Sequence, residues 1–345
     1  MVVGGWSGTV ATAVGVGAAA GAAQLGLGYG LNIISWLPAS DGLSGQTWVA
    51  SLAWATWIAA TSATVGAIVA DRLSTAPART AVTAVTATAT APGPADRVTT
   101  GLWRLTLAVA AALGAMVTVA LIAVPAREAV RADNFLPQAT AAGYAILGIV
   151  VGLVLAVAAL TSRAAAANAL ATVAWLWLLA LVAVGDAVAS GRSLAPLPLA
   201  VWEFTTSGWE YKDFHLPTAG FTLAAAFLIG ALAALPAARR GDNRVGVVMS
   251  GVIGPLAVAA AYLLSQPRLV GTPPVEISPH LVAPYAVLAG LAGSLLASLV
   301  RPRPEADAAA PVVAAGRAAV APEPPAARRG TDAALPTPAS DASRT

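Results

Sequence analysis

Residues 139–185 read ATAAGYAILGIVVGLVLAVAALTSRAAAANALATVAWLWLLALVAVG. Two apolar runs, 139–160 and 165–185, meet at a short joint, and Arg163 in that joint is the one charged residue of the stretch. A hydrocarbon layer about 30 Å thick is crossed by about 20 residues of helix. Each run has that length. Inside lipid a backbone must satisfy its own polar groups, and neither run alternates with the period of two that marks a barrel strand. The stretch therefore predicts two antiparallel membrane helices joined at Arg163.

The same reading extends in both directions. Runs at 9–31, 48–70 and 102–124 precede the hairpin, and runs at 219–238, 245–264 and 281–300 follow it. The expected fold is all-α, a polytopic transmembrane bundle of about eight spans. The first run continues through Trp36, is preceded by no Lys or Arg, and is longer than a signal-peptide core, so it is expected to be retained. Composition agrees. Of 345 residues, 58% are hydrophobic and 10% charged, with a mean hydropathy of +0.76. Soluble domains carry about 25% charged residues. Charge is scarce here because it is costly at the centre of a bilayer.

Arginine placement orients the spans. With both termini in the cytoplasm, that side holds Arg72, Arg79, Arg97, Arg104, Arg163, Arg239, Arg240, Arg244, Arg301, Arg303 and the four tail arginines. The other side holds Arg127, Arg131, Arg192, Arg268 and Lys212, the only lysine. Basic residues favour cytoplasmic loops, so both ends are expected inside, with the protein in the cell membrane. The basic residues form no folded face, and nucleic acid is not an expected partner. The lipid bilayer is one, with a membrane-protein partner or a second copy as further possibilities.

Outside the spans the chain is simple. The stretch 71–100 is Thr/Ala/Pro-rich and reads as a flexible cytoplasmic linker because of Pro77, Pro92, Gly93 and Pro94. The tail, 301–345, is rich in Ala, Pro and Arg and reads as disordered. The long outward loop, 186–218, gathers Trp202, Glu203, Trp209, Glu210, Tyr211, Lys212, Asp213, Phe214 and His215. Aromatic rings among carboxylates suit an outer-face binding site. They also suit the membrane boundary, and a short interfacial helix is the expected structure. LPQATAAGY before Arg163 and LPTAGF before Arg239 form a faint hairpin echo, of the kind that repeats leave in transporters.

The first span, GVGAAAGAAQLGLGYGLNIISW over 15–36, is the most distinctive helix. Gly17, Gly21, Gly26 and Gly30 fall at or near four-residue spacing, which lets a second backbone approach closely. Gln24 and Asn32 are placed to hydrogen-bond across a helix interface. In the seventh span Gly254 and Pro255 predict a kink or break, since proline lacks an amide hydrogen and frees a carbonyl one turn back. Asn168 is expected at the membrane interface. These residues are candidates for helix packing or for lining a path.

Familiar catalytic sets are missing from the sequence. There is no cysteine, so neither disulfide nor thiol chemistry applies. Both histidines, His215 and His280, lie in predicted outward segments, which leaves no base for the GWSG at Gly5–Gly8 to act as a serine nucleophile site. No metal or cofactor site is expected. Three functions follow in order of fit: a non-enzymatic accessory or scaffold acting through helix packing, a channel or carrier for a neutral or amphipathic solute, and an outer-leaflet enzyme using loop carboxylates.

Overall fold

The computed structural model describes residues 3–37, 44–82, 94–129, 136–191, 197–201, 210–211, 214–265 and 274–300. The expected tail, 301–345, and Trp202, Glu203, Trp209 and Asp213 lie outside the described residues. The helices are α1 (Val3–Gly30), α2 (Ser44–Val82), α3 (Pro94–Ala115), α4 (Val117–Ala126), α5 (Pro137–Thr161), α6 (Arg163–Ala189), α7 (Leu216–Arg239), α8 (Arg244–Met249), α9 (Ile253–Ser265) and α10 (Pro274–Ser298). Eight stretches are long and apolar enough to cross a membrane, with α3–α4 and α8–α9 each forming one of them.

The ends of these helices follow from local chemistry. Pro137 opens α5 at a position where its missing amide hydrogen is not needed. Ser162 is extended at the joint, and its hydroxyl accepts from the Ala165 amide, so one residue ends α5 and caps α6. At the end of α1 Asn32 takes a left-handed conformation (φ 55°). Its amide bonds the Tyr29 carbonyl at 3.0 Å, and the Ile33 amide bonds the Gly28 carbonyl at 2.9 Å. That double bond pattern is a helix stop. Gly241 (φ 74°) ends α7 in the same way.

Two expectations need adjusting. Helix extends to Val82 and resumes at Pro94, so both ends of the 71–100 stretch are helical, and 83–93 lie outside the described residues. In the long loop, where a short helix is expected, residues 210–211 and 214–215 form a pair of two-residue strands, and 202–209 lie outside the described residues. β1 (Glu210–Tyr211) pairs antiparallel with β2 (Phe214–His215), Glu210 opposite His215 and Tyr211 opposite Phe214. Aromatic residues favour extended backbone, and two intervening residues are the shortest common connection between paired strands.

The helices fall into two successive sets, α1–α5 before Ser162 and α6–α10 after it, within one compact unit. In the first, α2 is the most enclosed helix, flanked by α1, α3 and α5. It tolerates enclosure because its hydroxyls turn back on its own carbonyls. Thr56 bonds Leu52 O at 2.8 Å, Ser62 bonds Ile58 O at 2.6 Å and Thr64 bonds Ala60 O at 2.9 Å. In the second half α7 lies along α10. Across the seam α2 and α5 meet α6 and α9.

Close approaches fall at glycine. A Cβ on Gly17 of α1 would come within 2.5 Å of the Ala111 carbonyl of α3. One on Gly66 of α2 would come within 2.8 Å of the Gly17 Cα. Gly148 and Gly152 bring α5 onto the carbonyls of Thr56 and Ala60 of α2, and Gly230 brings α7 onto Gly290 of α10. In lipid, where water does not drive helices together, such backbone contact is a main source of attraction.

Candidate functional site in the bundle interior

The interior is lined by tryptophan, amide and hydroxyl groups. Gln24 of α1 is buried, and its amide joins three helices. Its Nε2 donates to Ser62 Oγ at 3.2 Å. Its Oε1 accepts from Thr61 Oγ1 at 3.2 Å and from Trp177 Nε1 of α6 at 3.0 Å. The last of these bonds crosses the seam between the two halves.

Above Gln24 three indoles touch one another. Ring centroids lie 5.5 Å apart for Trp54 and Trp57, 5.5 Å for Trp54 and Trp177, and 6.2 Å for Trp57 and Trp177. Trp54 Nε1 donates to the Leu197 carbonyl at 2.8 Å. Trp57 is wholly buried, and its Nε1 makes no hydrogen bond among the described residues. A buried donor left unpaired costs about 1–3 kcal/mol, so such a group needs a reason.

Residues 197–201 close this cluster at the end of the bundle where α2 begins. The segment is irregular, and its carbonyls are taken by side chains from three helices. Trp54 of α2 bonds Leu197 O, Tyr262 of α9 bonds Leu199 O, and Thr222 of α7 reaches Ala200 O at 3.5 Å. Leu199 is 0% exposed, and Ala200 sits in the left-handed region at φ 61°. Tyr262 also meets His280 of α10 edge-on, with ring centroids 4.7 Å apart.

A second polar node lies at the break in the seventh span. A 3-10 turn at Ser250–Val252 separates α8 from α9. The Ile253 amide bonds Ser250 O, which leaves the Gly254 amide without the acceptor it would have in a continuous α-helix. Asn168 Oδ1 of α6 takes that amide at 2.8 Å. Asn168, read from the sequence as near the membrane interface, is 0% exposed, packed between helices and bonded to backbone. Its Nδ2 and the neighbouring Thr172 Oγ1 are buried without partners among the described residues. A Cβ at Gly254 would run into Thr172 Oγ1 and come within 2.9 Å of Asn168 Oδ1. Pro255 follows inside α9 and is buried.

The other sequence candidates divide. Gly17 and Gly21 are packed, Gly21 against Thr118 and Ser62. Gly26 and Gly30 are exposed, with nothing within 4 Å of an added Cβ. Asn32 is exposed and ends α1 instead of bridging helices. Glu210, Tyr211 and His215 belong to the strand pair, whose second strand lies against α7 and α10. Thr61, Ser62, Thr172 and Trp177 are interior residues that spacing alone did not single out, since hydroxyls and indoles are common in membrane helices. The segment 197–201 did carry a signal: LPLAV is apolar and proline-containing inside an otherwise polar loop.

Among the described residues no three His, Asp or Glu side chains gather where a metal would sit. No protein-family model, curated protein or solved structure matches this chain. Fold and interior together define an all-helical protein with eight apolar helices of membrane-crossing length, a pattern that suggests a membrane protein.

Proposed function

We propose that this chain is a multi-pass protein of the cell membrane, with both termini cytoplasmic, and that it is a channel or carrier for a neutral solute seen in a closed state. Membrane crossing is supported by the eight apolar helices and by the bias of arginine towards one set of loops. The observation that carries the solute reading is the seam between the halves. Trp57 Nε1 there, and Asn168 Nδ2 and Thr172 Oγ1 on the bordering α6, are buried hydrogen-bonding groups without partners among the described residues. Transporters bind near mid-membrane, at the interface between halves and beside interrupted helices. Trp57 lies near the middle of the apolar stretch Gly45–Ser74 and Trp177 near the middle of α6, and the interrupted seventh span supplies α9 to the same seam. No buried Asp, Glu, Lys or Arg occurs among the described residues, which suits an uncharged cargo.

The test is uptake into proteoliposomes, with thermal stabilisation of the purified full chain, across panels of sugars, amino acids and lipids. Uptake or stabilisation by a solute, lost in Gln24→Leu, is the expected result. Null results across all panels reject the reading.

The accessory or scaffold reading keeps one specific observation in its favour. Gly8, Gly15, Gly26 and Gly30 of α1 have open space where a Cβ would be, so this helix offers its backbone to a neighbour. Recovery of a stoichiometric membrane partner from native membranes, without any solute effect, would favour it over transport.

A further inference from the structure

We propose that residues 197–201 form a movable strap that shuts the solute path at the end of the bundle where α2 begins. The strap is held by the hydrogen bonds from Trp54 and Tyr262. What it closes rests on the carrier reading; whether it moves does not.

The strap is attached unlike the rest of the bundle. A helix holds each residue through its own ladder of backbone bonds. Here the carbonyls of Leu197 and Leu199 are held by side chains of α2 and α9. Among the described residues the segment makes one backbone bond, from the Val201 amide to Pro198 O, and it is long at 3.4 Å. Segments with few backbone bonds open at lower free energy than packed helices. Ala200 adds strain, since a left-handed conformation is unfavourable for a residue with a Cβ. Leu199 is nonetheless wholly buried in the same apolar cluster as Trp54 and Trp57. A strained, lightly bonded segment is thus seated like a stopper.

Beneath it the interior is arranged in depth. Helical side chains lean towards the N-terminus, and α2 begins at the strap end, so the Trp54 indole reaches back to Leu197. Trp57 lies one turn deeper, and Thr61 and Gln24 deeper again. Lifting the strap frees the Trp54 Nε1–H and the Tyr262 hydroxyl, and gives access towards the already unpartnered Trp57 Nε1–H. Three donors would then stand in the one apolar cluster that holds Trp54, Trp57 and Tyr262. That set suits a neutral solute rich in hydrogen-bond acceptors and bearing an apolar face, as a cyclic polyol does.

The natural chain has no cysteine, so one introduced thiol reports its own position. Leu199→Cys in the purified full chain is treated with a membrane-impermeant maleimide, alone and combined with Trp54→Phe and Tyr262→Phe. Labelling should be slow in the first and about tenfold faster in the combination, the factor given by a loss of about 1.4 kcal/mol of holding energy. Val201→Cys, also buried, serves if Leu199→Cys does not fold. Equal rates with and without the two Phe substitutions overturn the strap. Hydrogen exchange on the unaltered chain gives a second arm. Amides at 199–201 should exchange well before those of α2 at 54–62, and equal protection overturns the proposal. A strap that opens in a protein that takes up no solute refutes the carrier reading alone. Solute uptake with a fixed strap refutes the strap alone.

Discussion

At the residue scale the first helix contains its own control. Gly17 and Gly26 belong to one glycine series in the sequence, but their surroundings differ. Gly17 is wedged against α2 and α3, whereas an added side chain at Gly26 meets nothing within 4 Å. Gly17→Leu should therefore force apart three helices and cost about 1–3 kcal/mol, the usual range for overpacking. Gly26→Leu should leave the melting temperature of the purified protein unchanged within error. Equal losses at both positions would mean that the two faces of α1 are packed alike. Gln24 makes a different prediction. Its replacement by Leu keeps the volume but strands Trp177 Nε1, Thr61 Oγ1 and Ser62 Oγ, of which the two hydroxyls retain carbonyls of their own helix. Hydrogen bonds between membrane helices average about 0.6 kcal/mol each, so a destabilisation of about 1–2 kcal/mol is expected. Denaturant titration of the two proteins checks it. No measurable loss would mean the network adds nothing to folding.

At the element scale the interrupted seventh span behaves as a unit with α6. The 3-10 turn releases the Gly254 amide, and Asn168 receives it. Asn168→Ala should raise hydrogen exchange at the Gly254 amide, with little change in α2 or α5. Uniformly faster exchange would show instead that Asn168 supports the whole bundle. Gly254→Ala should be worse than Asn168→Ala, because its new methyl would run into Thr172 Oγ1 and come within 2.6 Å of Thr172 Cβ, which rotation of the hydroxyl does not relieve. Sequence reading located this break, since Gly254 and Pro255 are visible as residues that disturb a helix. It could not locate the partner, because Asn168 lies 86 positions away and a lone asparagine five residues into a helix reads equally well as interfacial. The same limit explains the loop. Trp and Tyr near a membrane boundary suggest an interfacial helix from composition, but strand pairing at 210–215 depends on register, which composition does not encode. The eight long apolar helices were legible because crossing a bilayer sets a minimum apolar length that a sequence shows directly. Helix stops such as Asn32 were not, because an asparagine inside an apolar run serves equally as a bridge or a left-handed cap.

At the scale of the whole molecule, the two ends of the bundle differ in charge, and that difference gives a topology that can be checked without knowing the cargo. Helix α7 separates two exposed turns, one at Ser190 after α6 and one at Asp242 before α8. The second turn carries Arg239, Arg240 and Arg244, and Arg240 pairs with Asp242 at 3.0 Å. That pair is solvent-exposed, and exposed ion pairs contribute about 0–1 kcal/mol, so replacing Asp242 leaves the fold intact. If basic loops stay in the cytoplasm, a single cysteine at Ser190→Cys is labelled by an impermeant maleimide in intact cells. Asp242→Cys is then labelled only after the membrane is opened. The reverse pattern would invert the orientation and place both ends outside. It would also put the 197–201 segment on the cytoplasmic side, turning an entrance strap into an exit strap. Labelling of both positions in intact cells would put the two ends of α7 on one side, which eight crossings do not permit. The cysteine-free background makes each outcome readable from one band, and the result fixes the side from which a solute would have to approach Trp54.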